Sequence, residues 1–462
     1  MDFSGRTILL VGMGVSGVSA ARWLAARGAR LRAADSRAEP PGKDAITEID
    51  PQAQMHCGPL MNALLEEVDL VVASPGVALA EPLLQEAMRR GLEVVGDVEL
   101  FARELHERLR TQQLPVLAIT GSNGKSTVTT MAGDICRLAG YNTVVAGNIG
   151  LPVLDTLPTP DCELADWYVL ELSSFQLETT ASLNPHAAVI LNVSEDHLDR
   201  YPDMAAYAAA KERIFIGAGV RVLRREDEYC AAMCAENSVW FGLGQPQRGT
   251  QDWGMEADGA GDPWLVRGEE KIMPVQTLPV AGLHNAANAL AAMALTEAAG
   301  VTHAVMVRAL QQFKGLPHRV EFVAEIAAVR YYDDSKGTNV GATEAALKGM
   351  AGMRGKVVLI AGGDGKGQDF APLGPAVAMS CRHVLLIGRD GPQIAAAIKR
   401  SGVPYEQVES LQLAVRRACA VEHSGDAVVL SPACASFDMF RNYEHRAQVF
   451  VESVKHLQQE GC

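Results

Sequence analysis

The chain has 462 residues, a formal net charge of −14 and 48% hydrophobic residues. The length suits about three domains, and the apolar content is ample for buried cores. The negative charge argues against a nucleic-acid partner, whose phosphates it would repel. No uninterrupted apolar run approaches the length of a membrane span.

The N-terminal run Arg6-Thr7-Ile8-Leu9-Leu10-Val11-Gly12 reads as a strand and not as a signal peptide. The nine cysteines are scattered and form no CxxC pair, so a cytoplasmic, reduced protein fits. Cys230 and Cys234 lack neighbours for a zinc site and are read as packing residues.

The first segment predicts a strand at Ile8–Val11, then Gly12-Met13-Gly14-Val15-Ser16-Gly17, then a helix through Ala26. A second strand, Arg30–Ala34, ends at Asp35. An apolar strand at Val68–Ala73 leads into the loop Ser74-Pro75-Gly76-Val77-Ala78, a helix over Glu81–Arg90 and a strand at Glu93–Val95. This alternation implies a parallel sheet covered on both faces. The G-x-G-x-x-G with a following acid resembles a dinucleotide fingerprint. It says that backbone approaches a phosphate and does not by itself name the ligand.

The second segment starts near Asp97 and carries Thr120-Gly121-Ser122-Asn123-Gly124-Lys125-Ser126-Thr127. An apolar run, Val116–Ile119, precedes it and a helix-like stretch from Val128 follows. Strand, glycine loop, Lys-Ser and helix make a phosphate cradle. The glycines let backbone N–H groups turn toward an anion, and the helix N-terminus adds partial positive charge. Lys125 would neutralise phosphate oxygens, and Ser126 or Thr127 would offer a hydroxyl to Mg²⁺. Ile119 stands where the general pattern has a glycine. Further strands are predicted at Tyr168–Glu171 and Ala187–Asn192, hairpins over Asp252–Pro274, and a helix over Leu283–Ala299.

The third segment begins near Leu316, with strands at Val357–Ala361, His383–Ile387 and Ala427–Leu430. The fold class is therefore α/β: a Rossmann-like N-terminal domain at 1–96, a central P-loop ATPase-like domain at 97–315 and a Rossmann-like C-terminal domain at 316–462. Ligands are expected in the clefts between them.

Several strand-end positions carry chemistry. Glu171 closes a buried strand beside the phosphate loop, where a Mg²⁺ ligand belongs. Asn192-Val193-Ser194-Glu195-Asp196-His197-Leu198-Asp199 groups acids with one His, suiting a second metal or a substrate carboxylate. Lys211, taken alone, reads as a solvated helix lysine. Asn285 and Asn288 share one helical face. Arg319 reads as a nucleotide contact or a surface salt bridge. Asp333–Asn339, Gly362–Gly367 and Ser431–Asp438 are polar or small-residue loops after strands. Several such loops in one chain favour a shared cleft.

Taken together, Thr120–Thr127, Gly147-Asn148-Ile149-Gly150, Glu171–Glu178, His284–Asn288, Asp334–Asn339 and Ser431–Asp438 resemble the Mur ligase family across nearly the whole chain. Glu171-Leu172-Ser173-Ser174-Phe175-Gln176-Leu177 and Ser431-Pro432-Ala433-Cys434-Ala435-Ser436 resemble the member that joins D-glutamate to UDP-N-acetylmuramoyl-L-alanine. The Asp-Asn-Pro-Arg signature of the ligase for the third amino acid is not found. The resemblance implies ATP as co-substrate, an acyl-phosphate intermediate and two Mg²⁺ sites. By position it places Gly121, Ser122, Asn123, Gly124, Lys125, Ser126, Thr127, Asn285, Asn288, Arg319 and Asp334 on ATP. Ser126 and Glu171 would serve the first Mg²⁺. His197 and Lys211 would serve the second, with Lys211 carried as a carbamate, and Lys125, His197 and Lys211 form the implied catalytic set.

Val15, Ser16, Asp35, Ser36, Arg37, Gly76, Val77 and Asn148 would hold the UDP substrate. Lys336, Thr338, Lys366, Ser436, Phe437 and Tyr443 would hold D-glutamate. Ser36 and Tyr443 depart from the commoner Thr and Phe and keep the relevant chemistry. A cytoplasmic monomer is expected. A nicotinamide oxidoreductase would leave the Lys125 loop unexplained. A folylpolyglutamate synthase would lack an N-terminal nucleotide domain like residues 1–96. A non-catalytic nucleotide-binding regulator would have no use for Lys125, Glu171, His197 and Lys211 together.

Overall fold

Short, wholly buried apolar strands dominate the chain, as parallel sheets covered on both faces require. Ile8 to Val11 and Val116 to Ile119 are each at most 1% exposed. The computed structural model describes residues 1–280, 282–350 and 355–460. They form two units, one of residues 1–193, 205–275 and 288–311, the other of 194–204, 276–287 and 312–462.

The first unit holds two parallel sheets. In the N-terminal one, β1 (Thr7–Val11), β2 (Arg30–Asp35), β3 (Gln54–Cys57), β4 (Leu70–Ala73) and β5 (Val94–Val95) lie in the order β3-β2-β1-β4-β5. Val11 pairs with both Ala34 and Ala73, so the strand ends are level. The order reverses between β1 and β4, which opens a crevice at their carboxyl ends. The predicted β1, β2 and β4 are present within two residues. Strand β3 went unpredicted: it is a half-exposed edge strand, so it shows no apolar run.

In the central sheet, β6 (Leu114–Thr120), β7 (Thr143–Gly147), β8 (Trp167–Glu171), β9 (Pro185–Ile190), β10 (Val220–Arg224) and β11 (Ser238–Phe241) lie in the order β11-β10-β9-β6-β8-β7. Ile119 of β6 and Gly147 of β7 both pair with Glu171 of β8. The predicted hairpins are an antiparallel sheet of β12 (Trp253–Ala257), β13 (Pro263–Arg267) and β14 (Glu270–Pro274).

The second unit carries β15 (Glu321–Ile326), β16 (Val329–Asp333), β17 (Val357–Gly362), β18 (Cys381–Ile387), β19 (Tyr405–Gln407) and β20 (Ala427–Leu430). Their order is β15-β16-β20-β17-β18-β19, parallel except for β15. Its apolar strands pack under helices on both sides. Among the described residues no helix is long and apolar enough to cross a membrane. Among the described residues seven cysteines are free. Cys230 is buried as a packing residue should be, but Cys234 is exposed.

Candidate active site

The phosphate loop is built by its glycines. Gly121 has φ +154° and Gly124 φ +88°, the latter as N-cap of the 14-residue helix Lys125–Leu138. No side chain caps that helix, so its first N–H groups face the loop. A Cβ at Gly124 would stand 2.6 Å from the Asn288 side-chain oxygen. Asn288 therefore lies against the loop. The loop is pinned from the segment just after β9: the Ser122 N–H donates to the Asn192 carbonyl at 3.0 Å, and the Asn123 N–H donates to Asn192 Oδ1 at 2.8 Å. Lys125 Nζ folds back to the carbonyls of Gly121 at 2.7 Å and Ser122 at 3.0 Å. Its ammonium thus sits over the cradle. Ser126 and Thr127 are buried at the first turn.

Glu171 is 2% exposed at the end of β8. Its Oε1 accepts from Asn148 Nδ2 at 2.8 Å, and its buried Oε2 has no protein partner. A buried, unpaired carboxylate oxygen is costly unless a cation or water meets it. An orphaned carboxylate oxygen beside this loop has the hard-donor chemistry that a divalent ion takes. Glu171→Gln is expected to raise the Mg²⁺ needed for half-maximal turnover by about tenfold or more, roughly 1.4 kcal/mol. A metal titration of activity, beside an unchanged melting temperature, reads this out.

Lys211 corrects the sequence reading of a solvated lysine. It is 1% exposed. Its Nζ donates to the Gly121 carbonyl at 3.1 Å and lies 4.4 Å from the Tyr207 ring centroid. The Tyr207 hydroxyl is 3.3 Å from Ser122 Oγ. Sequence periodicity missed Tyr207 too. The one available signal was its place four residues before Lys211, on the same helical face.

A cleft of about 600 Å³ lies at the reversal point of the N-terminal sheet. All eight residues expected on the UDP substrate, from Val15 to Asn148, line it. Gly17 has no room for a side chain: a Cβ there would meet the Gly12 carbonyl at 2.1 Å. Asp35 is spent inside the protein. Arg37 donates to both its oxygens, at 2.8 and 2.7 Å, and the Met13 N–H donates to Oδ2 at 2.8 Å. Arg37 holds this carboxyl well below its usual range, at about 2. The acid of a dinucleotide fingerprint would instead meet a ribose hydroxyl. Here it aims a half-exposed guanidinium at the cleft.

In the second unit the loops after β16, β17 and β20 are knitted together. The backbones of Asp364 and Ala435 exchange hydrogen bonds at 3.0 and 2.8 Å, and the Ala433 N–H donates to the Gly337 carbonyl at 3.1 Å. The small residues of Ser431–Ser436 permit that approach. Asp334 is buried, takes the Ser431 hydroxyl at 2.6 Å, and is pushed up to about 7 by desolvation. The Nε of Arg319 is buried without a hydrogen-bond partner. Lys336 Nζ lies 5.5 Å from the Tyr443 ring centroid, and Lys366 Nζ donates to Asp196 at 2.6 Å. Ser436 is buried and Phe437 is exposed. Of the D-glutamate set only Lys366 lines the 420 Å³ pocket of this unit, beside Asp364 and Arg389. His197, with φ +57°, lies on the 194–204 segment.

Sequence reasoning passed over Arg446. Its side chain is wholly buried on helix Tyr443–Glu460. It donates to the carbonyls of Cys434 at 3.1 Å and Ser335 at 2.8 Å, strapping two of the loops together. Burial lowers its guanidinium to about 10. Nothing in the local sequence distinguishes it from a surface helix arginine.

Three α/β sheets, a glycine-rich loop beside an orphaned carboxylate and a cleft at a sheet reversal have the layout of a nucleotide-binding protein. Models of the Mur ligase MurD-like N-terminal domain, the Mur ligase middle domain and the Mur ligase glutamate ligase domain match residues 6–96, 119–296 and 318–434. The chain belongs to the Mur ligase family. It is 55% identical to the UDP-N-acetylmuramoylalanine--D-glutamate ligase of Methylobacillus flagellatus, over 99% of this chain and 98% of that one. The enzyme of the same name from Thiobacillus denitrificans is also 55% identical, with the same coverage. Among solved structures, UDP-N-acetylmuramate-alanine ligase of Thermotoga maritima shares the fold at TM-score 0.61 and 20% identity, covering 98% of this chain and 99% of its own.

Proposed function

We propose that this protein is an ATP-dependent ligase that joins D-glutamate to UDP-N-acetylmuramoyl-L-alanine, a step of peptidoglycan precursor synthesis. The observation that carries this is full-length identity of 55% to relatives bearing that name. The division into 1–96 for UDP, 97–315 for ATP and 316–462 for D-glutamate is part of the reading.

The chemistry follows from the groups. A carboxylate is a poor electrophile. Its oxygen attacks the γ-phosphorus of ATP, ADP leaves, and an acyl phosphate results. The D-glutamate nitrogen, having lost a proton, attacks the acyl carbon. The tetrahedral species expels phosphate and leaves the amide.

Lys125 and the N–H groups of the glycine loop meet the phosphate charge. Ser126 and Glu171 would hold the first Mg²⁺, and His197 with a carbamylated Lys211 the second. Bound Mg²⁺ supplies charge neutralisation at the transferring phosphoryl group. Asn285, Asn288, Arg319 and Asp334 serve the nucleotide. Asn148 serves the muramoyl end, and the cleft residues from Val15 to Val77 hold the uridine diphosphate. Lys336, Thr338, Lys366, Ser436, Phe437 and Tyr443 receive D-glutamate.

Phosphate release that needs both the UDP-muramoyl-alanine precursor and D-glutamate tests the whole reading. Hydrogen exchange tests the cleft at the sheet reversal. The precursor is expected to protect residues 12–17, 35–37 and 74–78, whereas NAD at micromolar concentration does not. Protection by NAD would favour an oxidoreductase.

A further inference from the structure

Asp196 has no role in the scheme so far, yet its carboxylate is buried at 6% exposure and holds several groups at once. Oδ1 accepts from Lys366 Nζ at 2.6 Å and from the His197 N–H at 3.0 Å. Oδ2 accepts from Asn339 Nδ2 at 3.3 Å. Asn339 in turn caps helix Val340–Gly349, its Oδ1 accepting from the Ala342 N–H at 2.9 Å. One carboxylate therefore ties together the 194–204 segment, the loop after β16 and the loop after β17, all within the second unit. These two loops carry Lys336, Thr338 and Lys366.

Lys366 needs such a partner. It sits at φ +52° between Gly365 and Gly367, on a loop whose backbone is held but whose long side chain is not. A lysine is a point charge on a flexible stem and loses much rotamer freedom when fixed. Its ammonium has three donors, and a carboxylate that takes one leaves the others for a ligand. A charge-assisted bond of this kind, three-quarters or more shielded from water, is stronger than a surface pair.

We infer that Asp196 is a positioning residue for D-glutamate. It fixes the Lys366 ammonium and the Asn339 loop in place before the amino acid arrives, so that the incoming carboxylate finds a preformed cationic seat. The ordering cost is met in the free enzyme and not on binding. The inference rests on the D-glutamate reading of Lys366. The competing account is that Asp196 acts through its neighbour His197 on a metal site.

The test uses the full-length enzyme and Asp196→Asn, with KM measured for each substrate. Wild-type phosphate release that depends on precursor and D-glutamate must come first; without it the proposed function fails, not this inference. For Asp196→Asn we expect KM for D-glutamate to rise about tenfold or more. KM for ATP and for the precursor should stay put. ADP–ATP exchange with precursor present and D-glutamate absent, which reports acyl-phosphate formation alone, should keep its rate. A fall in that exchange, or equal losses for all substrates, would overturn the inference in favour of the metal account. An unchanged D-glutamate KM would overturn it outright. If Asp196→Asn does not fold, Asp196→Glu keeps the charge, and its effect must still fall on D-glutamate alone; a shift in ATP KM there counts against the inference.

Discussion

Lys125→Ala is expected to lower turnover by about a thousandfold, roughly 4 kcal/mol, with the fold intact. The lysine holds two carbonyls of its own loop, Gly121 and Ser122. Losing those contacts costs little structure, because the loop is independently pinned to Asn192 through two backbone N–H groups. What disappears is a positive charge over the phosphate cradle. Charge develops on the phosphoryl oxygens during transfer, so the loss falls on the chemical step more than on nucleotide binding. Far-ultraviolet circular dichroism and a melting curve would match wild type, while phosphate release would not. A variant that keeps more than about a tenth of the rate has lost less than about 1.4 kcal/mol, and Lys125 would then not be the phosphoryl-handling residue.

The parts of this molecule legible in the sequence are those where backbone chemistry restricts the choice of residue. Gly121 and Gly124 occupy backbone angles that other residues resist, and the strand before them is apolar because both sheet faces are covered. The cleft at the sheet reversal was legible for the same reason. Gly12 and Gly17 report close approach of backbone, and all the expected lining residues follow strand ends. The residues that escaped are those whose meaning comes from distant segments. Arg446 binds carbonyls 11 and 111 residues away in sequence. Lys211 is buried against Gly121, 90 residues earlier. A side chain on a helix carries no local sign of what the tertiary fold sets against it. Asp35 shows the opposite failure. Its position copies a dinucleotide fingerprint, yet Arg37 and Met13 consume its oxygens, so the position alone does not tell what the side chain meets.

Lys211→Ala is expected to be nearly inactive, with a loss of about a hundredfold or more, some 2.7 kcal/mol. The argument starts from burial. At 1% exposure, with Nζ on the Gly121 carbonyl and over the Tyr207 ring, this side chain lies against the phosphate loop and not in solvent. A free ammonium there would repel Mg²⁺, whereas a carbamate brings negative charge and hard oxygen ligands. If the carbamate is what the reaction needs, the vacated space in Lys211→Ala should accept a short carboxylate. Formate or acetate at high concentration should then restore part of the rate, and chloride should not. Lys211→Arg keeps a cation of similar reach but cannot form the carbamate, so it should stay inactive with or without acetate. The comparison separates two explanations that burial alone cannot. A structural lysine, needed only to satisfy the Gly121 carbonyl and cover Tyr207, would be replaced adequately by arginine and would gain nothing from formate. Full activity in Lys211→Arg would therefore show that the buried ammonium itself, and not an anionic derivative, supports the phosphate loop.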